Sequence, residues 1–156
     1  MAKGTKAAAV NRLQTTARLF RTALAARLAD YGLYAGQDQV MLALALEDGQ
    51  TPGQLAAKLG VRPPTITKTI NRLQAQAFLD KRASQNDARQ AHIFLTDTGR
   101  DAIRAIEKSV RKTEKVALKG LDKKEQKAFA KLLARIEHNL ASNVQAQPAE
   151  EPGDTA

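Results

Sequence analysis

Between Val61 and Gln76 the chain reads VRPPTITKTINRLQAQ, with Thr65, Thr67, Lys68, Asn71 and Arg72 but no carboxylate. That set donates hydrogen bonds and positive charge. Base edges in a DNA groove, and the phosphates bordering it, present acceptors, so donors and cations suit them and acids do not. Pro63 and Pro64 fix φ at the entrance of the segment and remove an amide that a helix start leaves unpaired anyway. A helix opened in this way can bring its first turn against phosphates. The plainer alternative is a solvated helix that lacks acids by chance; the basic hairpin described below favours the first reading.

Other chemistry finds little footing. Ser84, Ser109 and Ser142 stand beside no histidine in an informative motif, and no phosphate-cradling glycine loop, zinc-protease motif or paired-acid arrangement occurs. Zero cysteines exclude disulfides, thiolate metal sites and thiol redox sensing. His92 and His138 lie far apart and read as structural or solvated rather than as metal ligands. No catalytic residue, metal or cofactor is expected, and neither is an enzyme.

With 25 Lys+Arg against 16 Asp+Glu, the formal charge is +9. That sign calls for an acidic partner, nucleic acid first and an anionic membrane second. The longest apolar run, MLALAL at 41–46, falls far short of the roughly 18 residues a membrane span needs. The N-terminus lacks the apolar stretch of a signal peptide, and the absence of cysteine fits the expectation of a cytoplasmic protein. Aromatics are 4% and Trp is absent, which leaves Leu, Ile, Val and Ala to build the core. No proline stands between Pro64 and Pro148, and the chain reads as mostly α-helical.

The elements that would position the donor-rich segment follow from periodicity and punctuation. Residues 8–30 form an amphipathic helix, with Leu13, Ala17, Phe20, Leu24 and Leu28 at three- and four-residue spacing. YGLYAG at 31–36 breaks it. Val40, Met41, Leu44 and Leu46 mark a second helix that stops at Asp48-Gly49. Thr51-Pro52 opens a third, closed by Gly60. A fourth, from Arg62-Pro63-Pro64 to about Gln76, buries Ile66, Ile70 and Leu73. Residues 78–82 and 91–95 read as two short strands around the polar tip ASQNDARQ. A fifth helix opens at Leu95-Thr96-Asp97, carries Ile103, Ile106 and Val110, and ends at Gly120. The sixth starts on the capping-box pattern Asp122–Glu125 and carries Phe129, Leu132, Leu133, Ile136 and Leu140. From about residue 143 the acidic, proline-bearing end reads as a disordered tail. Glycine closes helices two, three and five, whereas the fourth meets Ala77.

A short helix, a tight turn at Gly60-Val61, a second short helix and a basic hairpin make a winged helix-turn-helix. The stretch TPGQLAAKLGVRPPTITKTINRL is followed by Asp87-Ala-Arg89, five residues to Leu95-Thr96, and Gly99 three further on. On those residues the span 31–99 resembles the DNA-binding core of MarR-type winged-helix transcriptional regulators. The flanking helices have the order and length which that family uses for dimerisation, so the resemblance spans nearly all of 8–143. It implies that Pro64, Thr65, Thr67, Lys68 and Arg72 face the major groove or its rim. Arg62 and Asn71 join the DNA-binding set on their donor chemistry. Arg89 would enter the adjacent minor groove with Asp87 orienting its guanidinium, the alternative being a simple hairpin-tip ion pair. Thr51 and Gln54 would touch phosphate. Lys81 and Arg82 are either phosphate neighbours or solvated charges. Three departures stand out. Ala88 replaces an arginine usual in the wing, Ala77 replaces a glycine, and Asp38 sits where an aromatic is common.

Residues 1–34 are read as an N-terminal dimerisation helix, 35–96 as the DNA-binding lobe, 97–143 as C-terminal dimerisation helices and 144–156 as the tail. A homodimer would set two recognition helices about one DNA turn apart on a palindromic operator. The expected function is a dimeric, sequence-specific regulator on double-stranded DNA, a repressor by analogy, reading through helix 63–76 and wing 79–95. The resemblance adds a small aromatic or anionic effector at the junction of the two lobes. Tyr31 and Tyr34 lie in that junction and either line a pocket or close a loop. The alternative is a winged-helix module for protein or RNA; the acid-free face argues against a protein partner, and RNA's deep major groove argues against helix insertion.

Overall fold

The computed structural model describes residues 2–87 and 89–146. The chain runs through α1 (Ala2–Ala29), α2 (Gln37–Leu46), α3 (Pro52–Leu59), α4 (Pro63–Ala75), β1 (Leu79–Ala83), β2 (Ala91–Leu95), α5 (Asp97–Ala117) and α6 (Lys123–Ala146). Order and type agree with the sequence reading, and only ends move. β1 takes in Ala83 and leaves out Phe78, and Gln76 caps α4 instead of extending it. α6 continues to Ala146, so residues 144–146 of the expected tail are helical. The rest of that tail, and Ala88, lie outside the described residues. No helix among the described residues is long and apolar enough to cross a membrane.

The chain divides into two units, 1–117 and 118–156. In the first, the predicted stripes meet: Leu28 of α1, Met41 and Leu44 of α2, Leu55 of α3 and Ile70 and Leu73 of α4 are almost fully buried. Leu79, Ile93 and Leu95 close the core from the wing side, with β1 and β2 antiparallel in the register Leu79↔Leu95 to Ala83↔Ala91. The segment after α2 adds a minimal third strand. Gly49 donates to the Ile93 carbonyl and the Ile93 amide donates to Gln50, both at 2.9 Å.

Two junctions explain sequence features. Thr96 Oγ accepts from the Gly99 amide at 3.0 Å and donates to the Ala77 carbonyl at 2.6 Å, tying the start of α5 to the end of α4. A Cβ on Gly99 would collide with the Phe78 carbonyl, which is why glycine stands three residues after Thr96. The second junction is Ala77 itself, at φ 62, a conformation that disfavours any side chain. Its amide bonds Gln74 and that of Phe78 bonds Leu73, closing α4 as Gly60 and Val61 close α3.

In the second unit, α6 starts on the expected capping box. Glu125 N–H donates to Asp122 and Asp122 N–H to Glu125, each at 2.8 Å. Phe129, Leu132, Ile136 and Leu140 of α6 are exposed.

Candidate nucleic-acid interface

The outward side of α4 is assembled by simple helical spacing. Pro64, Thr67, Lys68, Asn71, Arg72 and Ala75 line one open surface. Among the described residues no carboxylate lies within 4.0 Å of Arg62, Lys68 or Arg72, so their charge is available to a partner. Thr67 Oγ donates to the Pro63 carbonyl at 3.1 Å, so donation to an incoming acceptor costs that bond, about 1 kcal/mol. Thr65, exposed, lies one row over, toward α1 and α2. At the head of α3, Thr51 and Gln54 are engaged with each other: Gln54 N–H donates to Thr51 Oγ at 3.2 Å and Thr51 N–H to Gln54 Oε1 at 2.9 Å. What remains for a phosphate is the Gln54 side-chain amide NH2 and the Thr51 hydroxyl proton.

The wing brings cations to that same place. Thr51, Pro52, Lys81, Arg89 and Gln90 line one surface depression, so α3's start and the wing converge. Asp87 meets Arg89 through its backbone: Oδ1 accepts from the Arg89 amide at 2.9 Å, a turn-forming bond. The expected contact to the guanidinium is not made, and no carboxylate among the described residues lies within 4.0 Å of it. Arg82 is committed elsewhere, over the Phe94 ring at 4.5 Å and 3.2 Å from Asp80. Lys81, on the other face of the strand, is exposed. His92 accepts or donates nothing outward through Nδ1, which bonds the Gly49 carbonyl at 2.8 Å and so carries the proton.

Long-range polar ties fix α4 and the wing. Gln76 Nε2 donates to the Gly32 carbonyl at 2.7 Å, and Gln37 Nε2 donates to Gln76 Oε1 at 2.9 Å. The α1–α2 loop is thereby fastened to the end of α4. Asp48 accepts from the Leu95 amide at 3.0 Å and pairs with Arg100 at 2.7 Å, fastening β2 and α5 to the end of α2. Neither tie was visible in the sequence, where the partners are 39 to 52 residues apart.

Between α1, α2 and α4 lies a cavity of about 330 Å³ with Phe20, Leu24, Leu28 and Ile66 in its wall. Asp38 lines it, and burial pushes its carboxyl above the usual range while the amides of Asp38, Gln39 and Gly36 pull it back. Tyr31 and Tyr34 are exposed and do not line this cavity; Tyr34 instead borders an open depression with Gln37, Arg72 and Gln76.

A model of the MarR family matches residues 31–90, from the α1–α2 loop through the wing tip. The transcriptional regulator SlyA superposes with a TM-score of 0.80 at 21% identity, over 86% of this chain and 94% of that one. A mutant MarR from E. coli complexed with operator DNA gives 0.76 at 20% identity, over 81% and 91%. The PcaV transcriptional regulator from Streptomyces coelicolor, in complex with its natural ligand, gives 0.69 at 26% identity, over 83% and 89%. The chain has the fold of MarR-type winged-helix proteins. SlyA and PcaV are transcriptional regulators. Within the MarR-type frame, sequence reasoning had located the donor face of α4 but left Lys81 undecided. The signal that separates it from Arg82 is strand alternation, which turns one side chain toward Phe94 and the other away.

Proposed function

We propose that the protein is a homodimeric, sequence-specific regulator that binds a palindromic operator on double-stranded DNA and acts as a repressor in the cytoplasm. α4 enters the major groove with Pro64, Thr65, Thr67, Lys68, Asn71 and Arg72. Arg62 and Lys81 neutralise phosphate, Thr51 and Gln54 approach the backbone, and Arg89 reaches the minor groove from a tip shaped by Asp87. α1, α5 and α6 supply the dimer contacts. A small effector bound between the helices weakens the complex. The observation that carries this reading is the α4 surface itself: donors and unpaired cations on one exposed face, with no acid among them.

Selection of bound duplexes from a random library, followed by salt titration, tests it. The expected product is a two-fold-symmetric site whose affinity falls roughly 1,000-fold or more between about 50 and 200 mM salt. Arg89→Ala should weaken binding by about 1–3 kcal/mol with the fold intact. Equal affinity for random RNA, or binding insensitive to salt, would count decisively against this mechanism.

A further inference from the structure

The cavity between α1, α2 and α4, about 330 Å³, is at the lower end of the range for small-molecule sites. Its wall is mostly apolar, and two charged side chains line it. Arg21 of α1 is exposed, whereas Asp38 of α2 is only 6% exposed. α3 and α4 contribute no charge to the lining; Thr65 and Thr69 are the polar groups α4 brings. Among the described residues, no cation lies within salt-bridge distance of Asp38. Water screens the field of Arg21, while that of a buried carboxylate is screened far less. The less screened of the two charges in the cavity wall is therefore that of Asp38.

We propose that this cavity is a site for a small, largely apolar cation, a protonated aryl- or alkylamine whose ammonium takes Asp38 as its counter-charge. The assignment rests on the effector reading above and reverses the charge of the ligand expected there. Backbone amides hydrogen-bond the Asp38 carboxylate but supply no counter-charge, and an ammonium beside it would offset the remaining cost of burying the charge. An aryl carboxylate would add a second like charge. Burial also raises the Asp38 carboxyl, so occupancy becomes sensitive to pH. The ligand would touch Thr65 and Thr69, on the same helix that carries Lys68 and Arg72.

Calorimetric titration of the full chain without DNA, at about pH 7, separates the possibilities, with phenethylamine and phenylpropanoate as probes of opposite charge. The amine should bind at least ~10-fold more tightly than the acid, and Asp38→Asn should weaken the amine by a similar factor. A second arm needs no variant. The amine requires ionised Asp38, so its binding is full above the raised pKa and is lost as pH falls through it, with the fold monitored by circular dichroism. An amine that fails to bind at millimolar concentration overturns the proposal. So does one that binds no better than the acid, or whose affinity ignores both Asp38→Asn and acidification. Amine binding that leaves operator affinity unchanged upholds the cavity assignment and removes the effector reading. Release of DNA by the acid alone does the reverse.

Discussion

On α4 the stripe Ile66, Ile70 and Leu73 is at most 2% exposed, whereas on α6 Phe129, Leu132, Ile136 and Leu140 stand 40–59% exposed. The two helices carry the same three- and four-residue spacing, so periodicity alone does not separate them. Their polar sides do. α4 turns Lys68, Asn71 and Arg72 outward without an acid, while α6 mixes Lys124, Lys131 and Arg135 with Glu125 and Glu137. An apolar stripe announces that a face will be covered; the opposite side says what else the helix meets. For α4 the cover is its own lobe, and its outward side is that of a helix suited to an acceptor-rich polyanion, as proposed. For α6 the polar side is that of an ordinary solvated helix, and in the proposed homodimer a second copy of the chain would cover the bare stripe.

Breaking the α6 side of the comparison should have the largest effect. Leu132→Glu combined with Ile136→Glu alters four side chains across a two-fold interface, each forfeiting about 1.5 kcal/mol or more. Association should weaken by roughly 1,000-fold or more, leaving a species of 16.9 kDa in sedimentation. A wild-type chain already sedimenting at that mass would remove the dimer from the account.

The α4 side should break differently. Ile70→Ala empties a site that is 1% exposed and should cost about 3 kcal/mol of folding stability in denaturant titration. Because the contacts are internal to the lobe, that loss should not depend on protein concentration. A loss that disappears as the protein is concentrated would mean that α4's stripe, like α6's, is completed by a partner.

What the sequence made legible is what local rules encode. Thr51-Pro52 and Gly60 bracket α3 because capping and left-handed closure act over one turn. The acid-free face of α4 could be read because residues three and four apart share a surface. The ties that orient these pieces were not legible. Gly49 and Gln50 show no strand alternation, yet they pair with Ile93 across the lobe. Nothing local marks Gln37 and Gln76 as partners, or Asp48 as the acceptor for Leu95 and Arg100. At the wing tip the sequence paired Asp87 with the Arg89 guanidinium; here its carboxylate accepts from the Arg89 amide, a bond no sequence pattern announced. Tyr31 and Tyr34 lie at the junction of the lobes, where the sequence left open whether they line a pocket or close a loop; both are exposed, and the cavity is lined by Phe20 and Asp38 instead. Which side of a loop faces a cavity is decided by packing of elements distant in sequence, and no short-range pattern reports it.

The smallest effect sharpens the comparison at the point where α4 ends. Ala77 holds φ 62 where Gly60, ending α3 with the same pair of hydrogen bonds, holds φ 61. An L-residue pays about 1 kcal/mol for that conformation and glycine does not. Glycine also enlarges the freedom of the unfolded chain, which offsets part of the gain. Ala77→Gly should therefore stabilise the protein by somewhat under ~1 kcal/mol, raising the melting temperature by roughly 2 °C. DNA affinity should stay unchanged, because the end of α4 lies away from its proline-led start. A variant melting at or below wild type would show that the Ala77 methyl makes contacts worth more than its strain. In that event the alanine is part of how this lobe holds α4 against the wing, and not a tolerated departure from glycine.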